Sequence, residues 1–245
     1  MSPKKQQYNC GDCLYALPLS GCGLRLDDRA VHVAVCLRLG ANICEPHQCP
    51  CGATVDAKGL HGLSCKGGSG RSVRHHALND LIWRALSKAD IPATKEPSGL
   101  LRTDGKRPDG VTLLLPWENG RCATWDVTVT DTMAQSYLHN TSRTAGAAAE
   151  AAADKKTAKY APLVQTYVFV PIAVETMGAI NSDGREFLGN LEGALHKSQM
   201  ISASLPSCSS ACQFLFSAIM RSPSRAPLPT QPLRTNSRPF QPICF

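Results

Sequence analysis

The sequence predicts an α/β protein, a mixed sheet flanked by helices, with a small N-terminal zinc knuckle ahead of it and a disordered tail behind. Three observations carry that expectation. Apolar residues recur at helical spacing through Ser72 to Asp90 and again through Arg143 to Tyr160. Strict alternation of apolar and polar residues runs through Cys122 to Thr130. Cysteines and histidines fall at ligand-like intervals between Cys44 and Cys65. The expected division is a helical remnant over 1–43, a knuckle over 44–66, a core domain over 71–191 and the tail over 192–245.

At 245 residues with 18% charged, the chain can bury one core of ordinary size and carry a small satellite module. No run approaches the roughly 18 apolar residues of a membrane span, and the basic stretch Met1 to Gln7 is not followed by an apolar signal core. A protein of the nucleus or cytoplasm is therefore expected, neither secreted nor in a membrane. The net charge of +7 favours an acidic partner such as DNA or RNA, although plain soluble enzymes reach the same value.

Eight of the 12 cysteines lie at or before Cys65, and clustered cysteines among histidines in a chain without a signal read as metal ligands sooner than as disulfides. Cys10 and Cys13 have ligand spacing but no second pair nearby, so they read as incidental. Leu26 to Leu39 reads as a short amphipathic helix. In CEPHQCPCGATVDAKGLHGLSC, the pair Cys49 and Cys51, a turn-rich spacer, and the pair His61 and Cys65 form the usual outline of a closed tetrahedral zinc site. Cys44 and His47 compete for the same four positions, and a loop of unligated thiols is the alternative.

The helix through Ser72 to Asp90 carries Arg71, Arg74, His75 and His76 at its start, with Asn79 on its polar side. Positive charge opposes the dipole at a helix N-terminus, so an anionic ligand accounts for Arg71, Arg74 and His75 better than helix stability does; a solvated basic face is the alternative. Gly110 to Leu115 and Cys122 to Thr130 read as a hairpin around Asn119-Gly120. Alternation puts Ala123, Trp125, Val127 and Val129 on one face, and Thr124, Asp126 and Thr128 on a polar one. Asp109, just ahead of the first strand, is expected close to Asp126. That pair of acids and the backbone carbonyl of Val127 form an oxygen-rich site suited to Mg²⁺. An attack on phosphate also needs a cation, for which Lys155 and Lys159, one turn apart on the alanine-rich helix, are candidates. Glu96 is a candidate third acid. Val164 to Val174 reads as another strand, confined to an edge or its own end by Pro171. Beyond about Leu195 the chain has no acidic residue and is rich in Ser and Pro, which predicts disorder; Cys208 to Met220 is apolar enough for a brief helix without assigned function.

The succession of a Cys-Cys-His-Cys knuckle, Arg74-His75 with Asn79, Arg107-Pro108-Asp109, Asp126-Val127-Thr128 and the run from Lys155 to Tyr160 resembles the C-terminal region of non-LTR retrotransposon polyproteins. The similarity covers roughly Leu24 to Leu191. It implies a restriction-endonuclease-like domain of the PD-(D/E)xK class, in which two acids bind Mg²⁺ for DNA nicking, the knuckle and basic helix contact nucleic acid, and the lysine usual two residues after the second acid, where Thr128 stands, is supplied instead by Lys155 or Lys159 reaching back from the helix. No reverse-transcriptase palm motif stands in the chain, so a detached portion is expected, and the tail departs from the family. Two functional classes stay open: a Mg²⁺-dependent DNA endonuclease, and a catalytically inactive nucleic-acid-binding remnant.

Overall fold

The computed structural model describes residues 27–65, 67, 70–100, 104–113 and 120–201, with side chains as far as residue 195. The Cys10–Cys13 pair, Asn119 of the expected turn and the Cys208 to Met220 run fall outside the described residues.

Helix α1 (Asp28–Leu39) starts where the Ala30 N–H donates to Asp27 Oδ1 at 2.8 Å, and ends at Gly40, whose φ of 64° suits glycine. Its Arg38 donates to the Met177 carbonyl at 3.3 Å, fastening the helix to a distant part of the chain. Strands β1 (His47–Gln48) and β2 (Thr54–Val55) form a small antiparallel ribbon, followed by the single-turn helix α2 (His61–Ser64). Then come α3 (Gly70–Lys88), β3 (Ala93–Lys95), β4 (Gly110–Thr112), β5 (Ala123–Thr130), α4 (Gln135–Thr141), α5 (Ala147–Lys159), β6 (Val168–Glu175) and α6 (Ser182–Ile201).

The main sheet has the order β3-β4-β5-β6, antiparallel up to β5 and parallel between β5 and β6, with α4 and α5 in the crossover. It is a mixed sheet between helices. Trp125, Val127, Ile172 and Val174 pack against Leu78, Ile82 and Leu86 of α3 and Phe187, Leu188 and Leu191 of α6. Truncating any one of these side chains to alanine would cost about 2–5 kcal/mol. On the opposite face Ala149, Ala152 and Ala153 of α5 lie on Ala173, because methyl-sized side chains let a helix approach a sheet closely.

That second face corrects one expectation. The alternation in β5 predicts a polar, half-solvated face, whereas α5 roofs it, leaving Thr124 fully buried and Asp126 only 3% exposed. Two boundaries and one strand also differ. The strand expected from Val164 begins at Val168, because Pro162 starts a 3₁₀ turn over Ala161–Gln165. Strand β3 is too short to show a period. Helix α6 continues past 192 to Ile201, since Ala194 and Leu195 still reach the core.

Pro171 takes an edge strand for a visible reason. The Val168 N–H donates to the Cys122 carbonyl and the Thr176 N–H to the Thr130 carbonyl, both at 2.9 Å, so even-numbered residues of β6 address β5. The missing N–H of Pro171 therefore faces outward. There Asn181 closes the edge, accepting from the Ala173 N–H at 2.8 Å and donating to the Pro171 carbonyl at 3.0 Å.

Helix α5 has no side-chain cap of its own, because Gly146 precedes it. Glu175, at the end of β6, accepts instead from the Ala148 and Ala149 N–H groups at 2.9 and 3.2 Å. Burial pushes its carboxyl above the ordinary value, with those two N–H groups pulling the other way. The folded protein thus holds this proton more tightly than the unfolded chain. The associated stability is present below the ordinary carboxylate range and is lost as pH rises through the raised value. Glu175→Ala is expected to lower stability by about 1–2 kcal/mol. Glu175→Gln, which keeps an acceptor and cannot ionise, should gain on the wild type as pH rises through that window. Urea unfolding across the acid-to-neutral range checks both.

Candidate catalytic cluster and metal centre

Trp125, wholly buried in β5, sets the position of Asp109. Its indole N–H donates to Asn79 Oδ1 at 2.9 Å, and Asn79 Nδ2 donates to the Asp109 carbonyl at 3.3 Å. The ring lies over Gly110, where an added Cβ would stand 2.0 Å from a ring carbon, so only glycine fits. Asp109 leaves the sheet immediately before it, with its own N–H donating to the Trp125 carbonyl and its carbonyl accepting from the Glu96 N–H, each at 2.9 Å.

The Asp109 carboxylate then extends the sheet. Odd-numbered backbone groups of β5 face β4, and the Val127 N–H lies past the backbone pairing that β4 provides. Asp109 Oδ2 accepts it at 2.6 Å. Oδ1 lies 3.3 Å from His75 Nε2 of α3. The Val127 carbonyl shares that strand edge with its N–H. Tyr160, buried at the end of α5, donates to the Arg107 carbonyl at 2.8 Å and so holds the approach to Asp109.

Asp126 faces α5 and forms an ion pair with Lys156. Neither lysine expected from the sequence occupies that place: Lys155 is exposed with its Nζ 3.2 Å from the Tyr137 hydroxyl, and Lys159 donates to the Tyr160 hydroxyl at 2.8 Å. Burial pushes the Lys159 ammonium down, opposed by the field of Asp126. The signal for Lys156 was in the sequence. It stands four residues after Ala152 and three after Ala153, hence on the sheet-facing side of α5.

His75 is raised above its ordinary value by the hydrogen bond to Asp109; burial opposes this, the fields of Asp109 and Asp126 add to it, and Lys156 opposes it. Asp109, Asp126, His75 and Lys156 therefore share one electrostatic neighbourhood. Glu96 sits outside it, with its side chain on Arg107 and 51% exposed. Thr128, at the position where the sequence resemblance would have a lysine, is half-buried.

Of the residues expected to meet nucleic acid, Arg71 is exposed in the first turn of α3. Arg74 and Asn79 are 5% and 4% exposed and face inward, and His75 meets Asp109. The inner side of α3 is broad enough to carry 74, 75, 78, 79, 82 and 86, which spacing alone divides into a polar and an apolar face.

Upstream, Cys49 and Cys51 come from the turn between β1 and β2, and His61 and Cys65 bracket α2. Their ligand atoms all lie within 4.8 Å of one another. Cys49 Sγ and Cys65 Sγ are 3.7 Å apart, close to the roughly 3.8 Å that tetrahedral zinc–sulfur bonds of about 2.3 Å impose. Cys51 Sγ lies 3.2 Å from His61 Nε2. A backbone hydrogen bond from Ala53 is the main cause that lowers the Cys51 thiol to about 7, favouring the thiolate that a metal needs. Cys44 instead donates to the Asp56 carbonyl at 3.3 Å, and His47 Nδ1 sits 2.9 Å from the Glu45 carbonyl. The four-residue cluster can hold a metal such as zinc.

Compared with known proteins, the chain matches no family model and no curated protein. Among the described residues no helix is long and apolar enough to cross a membrane.

The Asn79–Trp125 bond yields a direct prediction. Asn79→Leu leaves a buried indole N–H without its acceptor and is expected to destabilise the fold by about 1–3 kcal/mol, read as a lower urea midpoint.

Proposed function

We propose that the chain is a Mg²⁺-dependent DNA endonuclease of the restriction-endonuclease-like kind, hydrolysing phosphodiester bonds, with a structural zinc at Cys49, Cys51, His61 and Cys65. The observation that carries this reading is that Asp109, just ahead of β4, accepts from the Val127 N–H of β5 next to Asp126, which pairs with Lys156 of α5.

The donor set suits Mg²⁺. A carboxylate has about four lone-pair sites, so both acids keep acceptor capacity beyond the bonds they make to Val127, His75 and Lys156. Together with the Val127 carbonyl they are hard oxygen donors, which this ion prefers. Bound there, Mg²⁺ would supply Lewis-acid polarisation of a phosphoryl oxygen and a more acidic water. The protein's own part is electrostatic and positional. Lys156 brings an ammonium to the place where charge develops on the phosphate, the role that Thr128 cannot fill. His75 orients the Asp109 carboxylate by its hydrogen bond. Exposed Arg71 and Lys106, within a net charge of +7, supply attraction to the backbone of DNA that weakens with salt.

Nicking of supercoiled plasmid with and without Mg²⁺ tests this reading. Asp109→Asn, Asp126→Asn and Lys156→Ala are each expected to lower the nicking rate by about 10²–10³-fold, with thermal melts showing them folded, while Lys155→Ala stays near wild type. Wild-type protein that binds DNA but never nicks it would leave the inactive binding module as the surviving function.

The zinc is checked separately. Metal analysis is expected to find one zinc per chain, lost when Cys49→Ser and Cys65→Ser are combined; unchanged content in that variant refutes the ligand set.

A further inference from the structure

We infer that Arg74 is a positioning residue that mechanically couples the zinc module to the catalytic edge, so that metal at Cys49, Cys51, His61 and Cys65 holds His75 and Asp109 in place. The inference rests on the zinc reading proposed above. It assigns Arg74 a role other than the phosphate contact that its place in a basic helix start suggests.

A guanidinium that is 5% exposed needs compensation, because burying an unpaired charge is costly. Among the described residues no carboxylate forms an ion pair with Arg74, and its Nε lies buried without a hydrogen-bond partner. Burial lowers its pKa, and Asp131 acts on it only as a through-space charge. Among the described residues its one direct bond runs from Nη2 to the Leu63 carbonyl at 2.5 Å. Leu63 lies on α2 between His61 and Cys65, so the acceptor that stabilises this buried charge sits on the short turn holding two of the four metal ligands.

That turn has little stability of its own. Helix α2 is one turn long, has no side-chain cap and buries none of its residues, so metal ligation at both its ends is what would keep the Leu63 carbonyl in place. On the other side of the strut, the residue after Arg74 is His75, which meets Asp109 Oδ1, and Asn79 one turn on holds the Asp109 carbonyl. Loss of metal would free α2, remove the acceptor that the buried Arg74 cation has among the described residues, and force the first turns of α3 to move until Arg74 found water. His75 travels with that segment. Coupling between two sites is reciprocal, so Arg74 must also tighten the grip on the metal by restraining the backbone between His61 and Cys65.

Two measurements on the zinc-loaded, full-length chain test this, neither of them an activity. The first is zinc release to a colorimetric chelator. Arg74→Met, similar in length and uncharged, is expected to weaken zinc binding by about 10–100-fold, the usual effect of losing a partner that orients a ligand, with Arg74→Lys falling between it and wild type. The second needs no variant: hydrogen exchange of wild-type protein before and after zinc removal is expected to speed up over residues 70–79 and 107–111 while β6 stays protected. Wild-type zinc affinity in a folded Arg74→Met, or unchanged exchange over residues 70–79 and 107–111 after zinc removal, overturns the coupling. Absence of zinc from the purified wild type overturns the zinc reading beneath it, so the two failures are told apart.

Discussion

A carboxylate lodged between a sheet and a helix sets the terms for the rest of this molecule. Asp126 is almost wholly buried, and a lone charge in that position would be neutralised or expelled. Lys156 makes it tolerable, and can do so only because α5 lies close enough to the sheet. The closeness follows from composition: the face of α5 on the sheet is Ala149, Ala152 and Ala153, and bulkier residues would lift the lysine off its partner. Buried ion pairs seldom add much stability over an apolar replacement. Here the pair lies one residue from Val127, whose N–H the Asp109 carboxylate accepts.

The helix start that looked like a nucleic-acid contact does structural work in three directions within six residues. Arg74 takes the Leu63 carbonyl between His61 and Cys65, His75 the carboxylate of Asp109, and Asn79 both the Trp125 indole and the Asp109 backbone. The cluster of positive charge at a helix N-terminus is locally unfavourable. Inward partners account for Arg74 and His75, while Arg71 stays exposed.

Ribbon and sheet are organised on different principles. The segment from Ile43 to Cys65 is held by backbone turns around four residues that could hold a metal, and buries few side chains. The sheet is held by apolar packing on one face and small-residue contact on the other. Arg74 spans the two.

By itself the sequence determined α1, α3, the β4–β5 hairpin, α5, the metal-ligand spacing and the place of Asp126 in its strand, since these follow from periods of 3.6 and 2 and from residue chemistry. Trp125 and Val127 inward, Pro171 at an edge, and Cys49, Cys51, His61 and Cys65 as one group were legible in that way. Which of the three nearby lysines meets Asp126 was legible only in principle, through the alanine stripe. Only the tertiary structure decided that α5 roofs the polar face of β5, that Arg74 and Asn79 turn inward, and that Asp109 completes the sheet at Val127. Each of those depends on which element lies over which, a matter of long-range packing that no local period encodes.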